Sequence, residues 1–301
     1  MFFARLAFIL AATATAAFAH AAEAHTHQGL WWASPAGSEN GWGINITHQG
    51  DMLFATWFTY DTDGSPMWLV MSNGMRQSDM YEGGYGYGGM MMFTNTYAGT
   101  LYRTTGPAFN AATFDPNAVT VSTVGTASFN FDDPNTGMFA YTVNGVMQSK
   151  AIVRQVFGSP MAQCGAGGVP AGAPNYQDLW WRSPAGSESG WGLNITHQGD
   201  TLFATWFTYG ADGRGMWLVM SNGARTAPGV YSGALYRTRG PRFDALPWNG
   251  PALSVTEVGT GTLTFSDSSN GVFAYTVDGV TQSKPITRQV YAIPVSVCRF
   301  P

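Results

Sequence analysis

The chain has 301 residues, enough for two domains of ordinary size. Only 11% of residues are charged and the net charge is -4, which leaves no basic surface for phosphate and excludes nucleic acid as a partner. Thirty-eight glycines and 14% aromatics, spread along the whole length, fit many short strands joined by tight turns.

Residues 1–24, MFFARLAFILAATATAAFAHAAEA, carry Arg5, an apolar run from Leu6 to Phe18, and small residues suited to cleavage. This reads as a secretory signal peptide and predicts a periplasmic or extracellular protein. Ala17-Phe18-Ala19, Ala19-His20-Ala21 and Ala22-Glu23-Ala24 each fit a small-x-small site. No other apolar run reaches the roughly 20 residues that span a bilayer, so no membrane span is expected. Cleavage after Ala24 would leave His25-Thr26-His27 as the new terminus, and imidazoles at its first and third positions suit Cu(II).

The central feature is a duplication. Residues 30–74 and 179–223 align at an offset of 149, with 37 of 45 positions identical. Farther on, Tyr97 to Arg103 matches Tyr231 to Arg237 at an offset of 134, which holds to the only two cysteines, Cys164 and Cys298. The first repeat therefore carries 149 − 134 = 15 extra residues, within Arg76 to Thr96. This stretch reads as a Gly/Tyr/Met-rich loop, and Met75, Met80, Met90, Met91 and Met92 in or beside it are soft ligands for Cu(I). Against that copper reading stands an unligated tail and a plain loop. The expected plan is a first repeat domain at 25–164, a Gly/Pro linker at 165–177 and a second repeat domain at 178–301. In an oxidising compartment the cysteines predict one bridge between the repeats, the alternatives being free thiols or an intermolecular bridge.

Each repeat reads as antiparallel β. GWGINITHQ, MLFATWFTY and MWLVMSN are strands separated by Gln49-Gly50-Asp51 and by Asp61 to Gly64. TASFNFDD and MFAYTVNG form a later hairpin, and Asn144-Gly145 turns into VMQSKAIVRQVF; Asn-Gly is a strong hairpin signal. Seven or eight strands per repeat follow. The fold class is all-β, two tandem homologous antiparallel meander domains, each a small barrel or sandwich. In MLFATWFTY, Leu53, Ala55, Trp57 and Thr59 share one face, and Phe54, Thr56, Phe58 and Tyr60 the other. Both faces are largely apolar, so something must cover the second, and the matching face of the other repeat is the economical cover.

The run SE-x-GWG-x-NITHQGD-x-LFATWFTY-x-x-DG-x-x-MWLVMSNG, with GVFAYTVDG and QSKPITRQVY later, resembles a repeat of many secreted proteobacterial proteins. That repeat is similar to tails appended to extracellular hydrolases and to stand-alone repeat proteins of no assigned activity. The resemblance covers both repeats. It implies a secreted all-β module and carries no catalytic residues with it.

Candidate chemistry lies in repeated polar positions. Glu39 and Glu188 read as loop carboxylates or ligand-binding acids, with Asp51 and Asp200 as possible second acids in a hairpin turn. His48 and His197 precede that turn, and with Glu39 and Glu188 they define a hydrolase alternative, although no nucleophile elbow supports it. The only lysines, Lys150 and Lys284, each precede an arginine by four residues, Arg154 and Arg288, at a spacing that puts both on one strand face. They read as strand-fixing ion pairs, as do the repeated Arg103 and Arg237, or as an anion site for a carboxylated glycan. Adjacent tryptophans, Trp31-Trp32 and Trp180-Trp181, must point to opposite faces of an extended strand, which leaves one ring of each pair for the surface or the interface, where it could stack on a sugar. The expected function is a secreted, non-catalytic binding or surface-interaction protein for a glycan or cell-envelope polymer, without a cofactor. The alternatives are the hydrolase and a periplasmic copper protein.

Overall fold

The computed structural model describes residues 26–81, 90–166 and 172–301. The expected signal peptide, its cleavage sites and His25 lie outside the described residues.

Eight strands form the first unit: β1 Gly29–Ala33, β2 Gly43–Gln49, β3 Met52–Tyr60, β4 Pro66–Tyr81, β5 Met90–Thr105, β6 Thr120–Phe131, β7 Thr136–Val143 and β8 Val146–Arg154. Each pairs antiparallel with the next, and β1 returns to β8, so the meander closes as a barrel. Two short strands follow, β9 Gln163–Ala166 and β10 Ala173–Pro174. The second barrel repeats the plan with β11 Asp178–Arg182, β12 Gly192–Gln198, β13 Thr201–Tyr209, β14 Gly215–Ala227, β15 Val230–Arg239, β16 Ser254–Phe265, β17 Asn270–Val277 and β18 Val280–Arg288. The last strand, β19 Ser296–Phe300, lies between β9 and β10 in a three-stranded sheet.

Local chemistry explains the turns. Asn144 and Asp278 adopt φ of 48° and 50°, each before a glycine with φ of 84° or 80°, the left-handed pair that a tight hairpin requires. At Gly125 and Gly259, φ is 155° and a Cβ would fall 1.7 Å from the carbonyl oxygen of Thr142 or Thr276, so only glycine fits these irregular points of β6 and β16.

An eight-stranded barrel is just wide enough for its own side chains to fill it. Trp31, Trp57, Phe129, Phe139 and Tyr141 fill the first, and Trp180, Trp206, Phe273 and Tyr275 the second. Each barrel also takes aromatic side chains from the other's long connection. Phe109, in the β5–β6 connection, enters the second core beside Trp206, 5.6 Å between ring centroids, and its backbone N–H donates to Tyr209 O. Phe243, in the β15–β16 connection, enters the first core beside Trp57 at 6.2 Å, and its N–H donates to Tyr60 O.

The second face of β3 is covered by the other repeat. Phe58 meets Phe207 and Trp217, and Tyr60 meets Trp217. The hydrogen bonds come in symmetric pairs. Trp68 Nε1 donates to Thr208 O and Trp217 Nε1 to Thr59 O, both at 3.1 Å. Tyr60 and Tyr209 donate to Thr238 and Thr104, both at 3.0 Å. Gln28 and Gln177 each donate to the other's carbonyl oxygen. At the centre, Asn45 donates to Thr205 and Asn194 to Thr56, a small polar patch among the aromatics. These pairs relate the barrels by a pseudo-two-fold axis. Cys164 and Cys298 are register partners of β9 and β19, 4.0 Å apart at Cα, and they form the disulfide between the repeats.

Two expected boundaries change. The stretch read as a linker, 165–177, contributes to β9 and β10, and Asn175, Tyr176 and Gln177 are buried at the start of the second barrel. The stretch read as a Gly/Tyr/Met loop lengthens the β4–β5 hairpin, whose arms pair from Ser78↔Phe93 to Tyr81↔Met90; residues 82–89 lie outside the described residues. The Cu(I) alternative on Met80, Met90, Met91 and Met92 therefore falls on paired strands, with Met80 opposite Met91.

Truncating Phe109 to alanine should destabilise the protein by about 3–5 kcal/mol, the usual cost of emptying a buried phenylalanine site. Phe243→Ala should cost a similar amount. Thermal unfolding of both variants checks this, and a double variant that unfolds in one cooperative transition would show the barrels acting as one unit.

Candidate functional site

The repeated polar residues separate into distinct places. Glu39 lies in the β1–β2 connection, and Lys150 points inward from β8. Lys150 Nζ donates to Glu39 Oε2 at 2.6 Å, and Trp42 Nε1 donates to the same oxygen at 2.9 Å. In the second barrel Lys284 donates to Glu188 Oε2 at 2.7 Å and Trp191 Nε1 donates at 2.8 Å. Each lysine also stands over its tryptophan, Nζ to ring centroid 5.4 Å and 5.3 Å. The ion-pair reading of the lysines and glutamates is what the geometry supports. Arg103 pairs instead with Asp61 at 2.5 Å and Arg237 with Asp278 at 2.6 Å. Asp51 and Asp200 face Arg76 and Arg225 in their exposed turns.

Arg154 and Arg288 clamp the chain that leads into each barrel. Arg154 donates to the carbonyl oxygens of Gln28, Thr26 and Pro134, and its guanidinium lies 4.8 Å from the Trp31 centroid. Burial lowers its pKa to about 10. Arg288 donates to Asn175 O and Asp178 Oδ2 over Trp180. Trp31 and Trp180 are fully buried inside the barrels, so neither ring meets a ligand.

His48 and His197 sit near the far ends of β2 and β12, away from the glutamates. Glu39 precedes β2, and the five steps along that strand from Gly43 to His48 span roughly 16 Å at about 3.3 Å each. The acid and imidazole of the hydrolase alternative thus sit at opposite ends of each barrel. Each histidine meets a tyrosine, His48 Nε2 with Tyr97 OH at 3.4 Å and His197 Nε2 with Tyr231 OH at 3.0 Å. Their Nδ1 atoms accept the backbone N–H of His27 and Tyr176. Burial lowers both histidine pKa values to about 4. His27, read as a copper ligand on a free tail, is buried and stacked on Phe131 with centroids 3.7 Å apart. Its counterpart Tyr176 stacks on Phe265 in the same way. Among the described residues no group of three or more His, Cys, Asp or Glu gathers for a metal.

Trp32 takes the position that the alternation reserves for a surface or interface ring. It is half-buried and lines a cleft of about 320 Å³ between the barrels. Phe58, Phe203, Trp217 and Val219 form the apolar walls, and Tyr236, Gln155, Asn40 and Ser221 bring polar groups to them. The Trp32 indole N–H is buried with no acceptor among the described residues, and so is that of Trp181. Trp57 and Trp206 share this feature, but inside the barrels, edge-on to Phe139 and Phe273. No sequence signal located the cleft, because its walls come from β1 to β3 and the end of β8 in one repeat and from β13 to β16 in the other.

No family model, curated protein or solved structure matches this chain. The geometry of its own residues carries the reading of function.

The buried histidines predict a pH response. In the unfolded chain they take up protons near pH 6.5, but in the fold only near pH 4. Their contribution to stability is complete above about pH 6.5 and is lost as the pH falls toward about 4. The unfolding temperature should drop across that window, and His48→Gln with His197→Gln should flatten the slope.

Proposed function

We propose that this is a secreted, non-catalytic binding protein of the repeat family it resembles, and that the cleft between the barrels receives a glycan or cell-envelope polymer. The observation that carries the reading is Trp32: a half-buried indole on the apolar wall of the cleft. The cleft volume of about 320 Å³ falls at the lower end of small-ligand sites, which are mostly apolar with a few placed polar groups. Indole faces stack on the C–H face of sugar rings, while the Gln155 and Asn40 amides and the Ser221 hydroxyl offer hydrogen bonds to hydroxyl groups.

Secretion is supported by the residues 1–24 pattern and by the Cys164–Cys298 bridge, which persists in oxidising compartments. No helix among the described residues is long and apolar enough to cross a membrane. The hydrolase reading has no support in the distance between Glu39 and His48.

Titration of the purified protein with chitohexaose, cellohexaose and soluble peptidoglycan fragments tests the reading by tryptophan fluorescence. At least one should bind, and Trp32→Ala should weaken it roughly tenfold or more, as truncation of an aromatic anchor does. Equal binding by the variant, or no response to any of the three, removes the cleft as the site.

A further inference from the structure

The two copies of the glutamate–lysine pair are not equivalent, and the difference is chemical. In the first barrel the Lys150 cation lies between two indoles, 5.4 Å from the Trp42 centroid and 5.6 Å from that of Trp248. Trp248 arrives on the same connection that delivers Phe243, and its Nε1 donates to Asn40 O at 3.0 Å. The lysine side chain is 7% exposed. Beneath it the neighbouring position on β1 is Ala33, buried and uncharged. One cation meets one anion, and the site is closed.

The second barrel has Phe114 where the first has Trp248, and Arg182 where the first has Ala33. Lys284 keeps its tryptophan, Trp191, but among the described residues no second indole stands over it. Its side chain is 13% exposed. Arg182 Nε approaches Glu188 Oε1 at 3.5 Å, and its guanidinium makes no hydrogen bond among the described residues. Two cations now share one carboxylate, which leaves a net charge of +1. A polar hollow of about 490 Å³ opens there, lined by Arg182, Glu188 and Lys284 with Thr113, Gln282 and Ser283. Gln282 differs from its counterpart as well. Both glutamines accept a tyrosine hydroxyl, Gln148 from Tyr141 at 2.7 Å and Gln282 from Tyr275 at 2.6 Å, but Gln148 also donates its amide N–H to Asp244 O at 2.9 Å, whereas the Gln282 amide nitrogen donates to none of the described residues.

From these differences we infer that the Arg182 hollow is a second binding site, present only on the second barrel, that takes a carboxylated sugar such as a uronic acid. The planar guanidinium fork matches a carboxylate in a bidentate pair, and the excess positive charge favours an anion there. The Gln282 amide and the Thr113 and Ser283 hydroxyls provide partners for the sugar's hydroxyl groups. The site is independent of the inter-barrel cleft: it shares no lining residue with it.

The test uses the full chain and calorimetric titration with trigalacturonate at low salt, against maltotriose as a neutral trimer. Wild-type protein should bind trigalacturonate and not maltotriose, with affinity falling as salt is raised. Arg182→Ala should weaken binding about tenfold or more, since it removes a charge-assisted pair. Alanine already stands at the equivalent position, Ala33, so the fold tolerates it there; Arg182→Lys should retain part of the affinity. Trp32→Ala should leave this binding unchanged, so failure of the cleft reading and failure of this one give different results. A flat isotherm at millimolar trigalacturonate, equal binding by Arg182→Ala, or equal binding of maltotriose overturns the inference.

Discussion

Everything in this molecule depends on an exchange of aromatic side chains. Phe109 and Phe243 each leave their own repeat and complete the core of the other. The outward faces of β3 and β13 hide Phe58, Tyr60, Phe207 and Tyr209 against the opposite barrel. Neither half has its full core without the other. Burial of apolar area is the largest favourable term in folding, and here a substantial part of it is interfacial. The polar patch of Asn45, Asn194, Thr56 and Thr205 in the middle of that surface sets the register, because each amide must meet its hydroxyl.

Much of this was legible in the sequence. Period-2 alternation and Asn-Gly turns announced meander strands, and the two apolar faces of Leu53 to Tyr60 required a second cover. The equivalent cysteines pointed to their bridge. The exchange of phenylalanines was not legible. Phe109 and Phe243 lie in connections without periodicity, and their only trace is the retained pattern Gly-Pro-x-Phe, which looks like any turn. Periodicity reports which side of a strand is buried; it does not report which barrel does the burying. Likewise the charge pattern put Lys150 and Arg154 on one face but could not assign their partners. Lys150 found a carboxylate in the β1–β2 connection, and Arg154 found backbone carbonyls of the chain leading into β1. The offset of 134 sets Trp248 against Phe114, but that its ring covers Lys150 became legible only in space.

The repeated charges have structural tasks. Guanidinium groups tie down the chain entering each barrel, and lysine–glutamate pairs hold the β1–β2 connection to β8 and the β11–β12 connection to β18. The histidines that looked suited to acid–base work are instead held neutral by burial, which suits a hydrogen bond to tyrosine better than proton transfer at neutral pH. Repetition of a polar residue between two copies therefore marks what the barrel needs as a scaffold. The departures from repetition are where the copies have acquired separate chemistry.

The position of the disulfide has a genealogical meaning. A bond between two copies of the same residue, directly opposite in register, is what a lone repeat would form with a second molecule of itself about a true two-fold axis. A one-repeat ancestor could have had the same interface and a single cysteine per subunit, as a covalent homodimer. Fusing its genes would turn an intermolecular bond into an intramolecular one without moving an atom of the interface. From then on each half could mutate alone, a freedom that identical subunits never have.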